Sequence, residues 1–368
     1  MSMKLSQFKV RIPEEQFAQF PLPYRDDSRM LVLHRATGEI EHKNVKDLPS
    51  YFNEGDLFVF NDAKVFPARL FAQKEKTMAN IEVFLLRELN HEMRYWDVLV
   101  DPARKIRIGN KLFLDEDLTI VAEVIDNTTS RGRTVRFLTD YDNSEFLDRL
   151  YELGHTPVPK YIRRPMTEEQ QAEYDKVFPG YPVDEMDAER YQTIFAKKVG
   201  AVAVPAAGLH FSKQLLKRME ICGIEHQFLT SYMSLGNFKN IEVDDLPKHK
   251  MDSEQIEIEQ PLVDAVDRAH AQEKHICAVG TEVMRALEQV AGTVGQIKPF
   301  DGWTSRFIYP PYDFSVADSF FVNLYASQSI QLLCVAAFGG YENVMHAYDV
   351  AVEEGYRFGD YGDAMLII

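Results

Sequence analysis

The run Val199-Gly200-Ala201-Val202-Ala203-Val204-Pro205-Ala206-Ala207-Gly208-Leu209-His210-Phe211-Ser212 opens with an apolar segment too short for a helix, breaks at Pro205 and turns at Gly208. Beyond it Leu215, Leu216 and Met219 recur at helical spacing. Ser212 stands where a helix N-cap belongs, its hydroxyl able to accept from an amide of the first turn. The stretch reads as a strand, a tight loop and a helix start. Ala206, Ala207 and Gly208 let a ligand approach the backbone, and the amides of a helix N-terminus can hold an oxygen or an anion. Two readings are open: a binding loop, or an ordinary turn in which His210 is a satisfied, partly buried histidine.

The same grammar recurs on both sides of this run. Downstream, Ile276-Cys277-Ala278-Val279 reads as a buried strand, Gly280 as a turn and Thr281 as an N-cap, with Val283, Met284, Leu287 and Val290 as the apolar stripe of a helix. Arg285, one turn in, is either a surface cation or an anion holder. Ser329 caps a further helix that ends at Gly339-Gly340, and a last amphipathic helix carries Val344, Met345, Tyr348, Ala351 and Val352. Upstream, 30–33 and 40–43 flank the turn Ala36-Thr37-Gly38 as a hairpin, a short helix is expected over 45–52, and Leu57 to Asp62 form a buried strand. Open α/β sheets bind ligands at the C-terminal ends of such strands, so Asn61, Asp62 and the nearby Arg69 are binding candidates; turn capping and a structural ion pair are the alternative.

From 70 to 142 the pattern changes to short runs rich in β formers, at 81–86, 94–100, 111–114, 118–125 and 134–139, with no helical pattern between them. Close spacing of this kind predicts a small barrel. A helix over 144–153 closes the segment, an extended Pro-rich connector follows, and a charged loop covers 163–188 with a helical piece at 167–176. The fold class expected is a three-layer α/β main domain, residues 1–69 and 151–368, with an inserted small β-barrel domain at 70–150.

The chain has 368 residues, 45% hydrophobic and 27% charged, enough for a sizeable core. A net charge of -16 argues against indiscriminate nucleic-acid binding, leaving three local basic clusters: Arg104, Lys105, Arg107 and Lys111; Arg131, Arg133 and Arg136; Lys160, Arg163 and Arg164. Cys222, Cys277 and Cys334 lack metal or redox spacing and read as core thiols, and the ten histidines are scattered singly, so no metal site is expected. No apolar run approaches membrane-spanning length, the N-terminus lacks a signal-peptide core, and a cytoplasmic location is expected. No GxGxxG is present, which leaves a dinucleotide site without support.

Ordered blocks along the whole chain resemble the S-adenosylmethionine:tRNA ribosyltransferase-isomerase family of queuosine biosynthesis. They are Pro21-Leu22 with Arg25-Asp26-Asp27-Ser28-Arg29, Phe60-Asn61-Asp62 with Pro67-Ala68-Arg69-Leu70, Arg190-Tyr191-Gln192-Thr193 and Gly200-Ala201-Val202-Ala203. Gly208-Leu209-His210-Phe211, Val279-Gly280-Thr281, Arg285, Phe307-Ile308-Tyr309-Pro310 and Tyr361-Gly362-Asp363-Ala364-Met365-Leu366 continue the series. The family is similar in architecture to the α/β domain with an inserted barrel expected above.

The resemblance implies transfer of the ribosyl part of S-adenosylmethionine to the aminomethyl group of a 7-deazaguanine in tRNA, giving epoxyqueuosine, with tRNA as partner and no metal. Such chemistry requires a base beside the sulfonium, a donor for departing adenine and a dry pocket. His210 is the candidate proton-transfer group, because imidazole titrates near neutral pH. Asp62 would face the cationic substrate, Arg69 or Arg285 would hold its carboxylate, and Tyr309 would stack on a base. Asn61, Gly208, Phe211, Ser212, Gly280, Thr281, Asn323 and Asp363 complete the substrate-binding set. Several family positions are replaced here: Ala206 and Ser212 stand for threonines, Tyr232, Asp252 and Tyr325 for histidines, Glu282 for a threonine and Gln328 for a lysine. On those replacements a second reading stays open, a paralogue that binds a nucleoside or a protein partner without this catalysis.

Overall fold

The computed structural model describes residues 3–233, 241–293 and 295–368. The hairpin is β1 (Arg29–His34) with β2 (Glu39–Asn44), and it leads through a 3-10 segment at Val45–Tyr51 to β3 (Leu57–Asn61), buried throughout. After the short β4 (Ala63–Val65) come β5 (Arg69–Lys74), β6 (Asn80–Asn90), β7 (Tyr95–Asp101), β8 (Lys111–Phe113), β9 (Val121–Asn127) and β10 (Gly132–Leu138). The last six close into a barrel in the order β10-β7-β6-β5-β8-β9, sealed by the pairing of β9 with β10. Alternate residues such as Val98 and Val100 on β7 and Ala122 and Val124 on β9 fill its interior, the period of two that a pleated strand imposes. β5 carries little sequence signal, since Leu70 and Ala72 alternate with Phe71, Gln73 and Lys74 and no β-branched residue marks it.

α1 (Asn143–Leu153) packs Phe146 and Leu150 on the barrel, and α2 (Glu168–Val177) falls where a helical piece is expected. α3 (Val183–Arg190) corrects the loop expected over 163–188. It has almost no apolar stripe of its own and is held instead by Arg164, which donates twice to the buried Asp187 at 2.6 and 2.8 Å.

The organising run forms β11 (Lys198–Ala201), a 3-10 turn at Ala206–His210 and α4 (Lys213–Ile221), with Ser212 Oγ accepting from the Leu215 amide at 2.9 Å. Its strand pairs in parallel with β4 in a separate two-stranded sheet, not with the main sheet. There follow β12 (Glu225–Tyr232), β13 (Glu254–Ile258), α5 (Gln260–Ala271), β14 (Ile276–Val279), α6 (Thr281–Val290) and β15 (Phe300–Thr304). β16 (Ser319–Asn323), α7 (Ile330–Gly339), α8 (Tyr341–Glu353) and β17 (Ala364–Ile367) end the chain, and Ser329 caps α7 as expected. Gly280, at φ +101°, and not Thr281, is the N-cap of α6, because the chain turns there through a conformation that favours glycine.

Among the described residues nine strands form one sheet, in the order β15-β13-β12-β3-β14-β16-β17-β1-β2. β12, β3, β14 and β16 run parallel. Leu57, Val59, Ala278, Phe320 and Val322 bury one face against α5 to α8, while Phe58, Phe60, Cys277 and Phe321 bury the other against Phe211, Leu215 and Met219. The three layers are therefore uneven, four helices against one helix and 3-10 turns. The C-terminal ends of the four parallel strands share one edge, and this edge positions the site.

Two expectations about surface and core need correction. Cys277 and Cys334 are core thiols, but Cys222, just past α4, is exposed. Of the basic clusters, Arg133 is buried and donates to the carbonyls of Ala103, Ile106 and Gly132, Arg131 and Lys160 share Asp101, and Arg136, Arg163 and Arg164 pair with Glu123, Glu14 and Asp187. Arg104, Lys105 and Arg107 remain exposed, outside any ion pair among the described residues. Among those residues no helix is long and apolar enough to cross a membrane.

Candidate active site

At the strand-end edge a cleft of about 760 Å³ opens between barrel and sheet. Both tryptophans of the chain line it, Trp96 from β7 and Trp303 from β15, with Tyr232, Asp97 and Asp252 beside them. The Arg87 guanidinium lies 5.4 Å from the Trp303 ring centre and ties β6 to β15. Tyr232 ends β12 with its ring over Gly200, where a Cβ would come within 2.7 Å of the ring. Its phenol donates to Glu257 Oε1 at 2.9 Å, and burial together with that bond raises its pKa to about 12. It is a donor at neutral pH, not a base.

Met233 lines both this cleft and a smaller cavity of about 50 Å³, walled by Ala203, Val204 and Ala206 and carrying Glu282, Tyr325 and Asp360. Glu282 is 2% exposed, and its Oε1 has no hydrogen-bond partner among the described residues. The carboxyl folds back over Gly280, where any Cβ would run into it. Burial raises its pKa to about 7; its own backbone amide, Arg285 and Asn61 oppose the rise and Glu254 adds to it. Arg285 is itself buried and donates to Glu254 Oε2 at 2.6 Å, so its charge is already matched. Asp360 accepts from the Tyr191 hydroxyl at 2.8 Å, and burial raises its pKa as well.

One strand over, Asn323 ends β16 with Oδ1 3.1 Å from His210 Nε2. The Asn323 Nδ2 donates to the carbonyls of Gly359 and Asp360 at 2.9 and 3.1 Å, so Oδ1 must accept and Nε2 carries the imidazole proton. Burial lowers the His210 pKa to about 3; the Asn323 bond opposes this, and the charges of Arg357 and Arg25 add to it.

A family model described as queuosine biosynthesis protein matches residues 5–367. The chain belongs to this family. Among its relatives, the protein of Phocaeicola vulgatus named S-adenosylmethionine:tRNA ribosyltransferase-isomerase is 58% identical over 366 residues, 100% of this chain and 99% of the relative. Proteins of the same name from Flavobacterium psychrophilum, at 54%, and Chloroherpeton thalassium, at 45%, are covered over 100% of their length, with 100% and 99% of this chain matched. The crystal structure of the S-adenosylmethionine tRNA ribosyltransferase of Thermotoga maritima is similar at a TM-score of 0.53 and 28% identity, over 98% of this chain and 100% of that one.

Of the residues singled out from the family motifs, Asn61, Asp62, Gly280, Thr281, Asn323 and His210 come together at the strand-end edge. Asn61 cross-links β3 to β12 through the backbone of Ser231, and Asp62 accepts from the Thr230 hydroxyl at 2.6 Å. Thr281 lines the inner cavity. Others are placed by structure. Arg69 opens the barrel, donates to the Val158 carbonyl at 2.8 Å and faces Glu82 at 3.4 Å. Gly208 lies against Thr193 and Phe195, so the close approach there is by protein. Phe211 sits in the aromatic core against Phe60 and Phe321, Ser212 caps α4 and donates to Asp26, Tyr309 packs on Phe307, and Asp363 accepts from the amides of Arg29 and Arg357.

The replaced family positions divide sharply. Tyr232 and Asp252 line the outer cleft, Glu282 and Tyr325 the inner cavity, while Gln328 donates to the Leu5 carbonyl and lines neither. The motif beginning at Thr230 runs into 234–240, outside the described residues. Trp96, Trp303 and Asp360 carry no local signal in sequence. Glu282 does carry one, an acid three residues past the end of a fully apolar strand. Among the described residues no group of three or more His, Cys, Asp or Glu side chains is placed to hold a metal ion.

Proposed function

We propose that this chain transfers the ribosyl part of S-adenosylmethionine to a 7-aminomethyl-7-deazaguanine in tRNA, giving epoxyqueuosine with release of adenine and methionine. The full-length match to relatives named for this enzyme is the observation that carries the reading. The site fits the substrates: Trp96, Trp303 and Tyr232 offer flat apolar walls for bases, and Asp97, Asp252 and Glu282 are acids suited to a cationic sulfonium and amine. A protonated or charged reactant is held more strongly where water is excluded, as in the inner cavity. His210, neutral and bound to Asn323, positions the end of β16 and is poorly suited to carry a proton near pH 7. An inserted unit at 70–150 within 1–69 and 151–368, a cytoplasmic location and a reaction without metal belong to the same reading.

The direct test is incubation of the purified protein with S-adenosylmethionine and tRNA bearing the deazaguanine precursor. Adenine release that requires that tRNA and persists in a chelator is expected; its absence would favour a binding protein without this catalysis. For the tRNA surface, replacing Arg104, Lys105 and Arg107 together by Gln is expected to weaken binding and flatten its salt dependence by about 0.7 to 0.9 for each phosphate no longer neutralised. Unchanged affinity in a filter-binding titration would place the tRNA surface elsewhere.

A further inference from the structure

We infer that Glu282 is the carboxyl that moves the proton in this reaction, an inference that rests on the function proposed above. The other acids at this edge are engaged: Glu254 with Arg285, Asp62 with Thr230, Asp363 with two backbone amides, and Asp360, on the same cavity, with the Tyr191 hydroxyl. Glu282 alone among these has a buried oxygen, Oε1, without a partner among the described residues, and it lines the inner cavity, which shares Met233 as a wall with the outer cleft. A buried carboxyl oxygen left unsatisfied costs stability, and such groups call for an explanation beyond packing.

The groups around it define what is missing. Arg285 faces it from its own helix, Glu254 from β13, Asn61 from β3, and Tyr325 from the segment after β16, with Asp360 also on the cavity. The only cation in that set is already matched to Glu254. Ionised Glu282 therefore lacks a counter-charge, and a sulfonium entering the cavity supplies it. Beside that sulfur the carboxylate takes a proton from the adjacent carbon: the C–H bond breaks, an O–H bond forms, and the electron pair stays on carbon next to the positive sulfur. That pair then forms a C=C bond to the neighbouring ring carbon as this carbon's bond to the ring oxygen opens. The oxygen forms a C=O bond at the carbon bearing adenine, and the C–N bond breaks with its pair on the adenine nitrogen, which takes the proton from the O–H and restores the carboxylate.

The test uses the full-length protein, S-adenosylmethionine and precursor-bearing tRNA, with single-turnover adenine release followed across pH for wild type, Glu282→Gln and Glu282→Asp. Wild type is expected to gain rate as pH rises through neutrality. Glu282→Gln is expected to lose about 100-fold or more in rate, and its pH limb, while S-adenosylmethionine affinity by equilibrium dialysis changes far less. Glu282→Asp is expected to keep a weaker, shifted limb. Wild-type release with Glu282→Gln within a few fold of it, or with the same limb, overturns this inference alone. A wild type silent on the tRNA overturns the proposed function and this inference with it. Thermal melts guard against misfolding: Gln removes a buried unpaired charge, so the variant should melt no lower than wild type above pH 7.

Discussion

His210, in the 3-10 turn before α4 and bonded to the end of β16, and Glu282, in the first turn of α6 after β14, are buried titratable groups at the same edge of the sheet, yet the protein treats them in opposite ways. His210 has its Nε2–H held by Asn323, whose own amide is fixed by two carbonyls. Glu282 faces a cavity with Oε1 unpaired. Burial pushes both toward the neutral form, the imidazole from 6.5 down to about 3 and the carboxyl from 4.5 up to about 7. The same force thus moves one group away from physiological pH and the other onto it. A histidine near the strand ends is the obvious proton carrier by residue type, and its surroundings give that role to the acid.

The largest effect is expected at the matched pair beside Glu282. Arg285→Met leaves Glu254 buried without its cation, a change that costs about 3 to 5 kcal/mol in comparable buried pairs. Urea unfolding is expected to show a loss of that order, and a loss below about 1 kcal/mol would mean that Glu254 is satisfied without the arginine.

A smaller effect, and a sharper one, lies in the sign of the pH dependence. Glu282 has a raised folded pKa, so its folded state binds the extra proton and wild type loses stability as pH rises from about 4.5 to about 7. His210 has a lowered folded pKa, so wild type loses stability as pH falls from about 6.5 to about 3. Relative to wild type, Glu282→Gln should therefore gain stability over the first window on raising the pH. His210→Asn should gain over the second on lowering it. Chemical denaturation at a series of pH values reads both slopes, and slopes of the same sign would contradict the assignment of either environment.

Much of the frame is legible in the residues. The strand-loop-helix units around Val199 and Ile276, the Ser212 and Ser329 caps and five of the barrel strands follow from local periodicity and turn chemistry. What escapes is what depends on distant partners. α3 is held by Arg164 rather than by an apolar stripe, and β11 pairs with β4 across a long stretch of chain. Arg69, Phe211, Tyr309 and Asp363 are motif residues whose neighbours turn them to structural use. The two tryptophans of the cleft are isolated aromatics in sequence, brought together only when the barrel meets the sheet. Glu282 is visible as an acid after an apolar strand, but its missing partner can be seen only once every neighbour is placed.

Glu282, rather than His210, sets the pH limb of the reaction. The most direct measurement is single-turnover adenine release from precursor-bearing tRNA by His210→Asn across pH 5.5 to 9, a span of about one and a half units or more on either side of neutrality. With Glu282 as the proton carrier, the limb near pH 7 is expected to survive the substitution, with a rate loss well short of about 100-fold. Loss of that limb in a protein that remains folded would return the proton to the histidine and contradict the account.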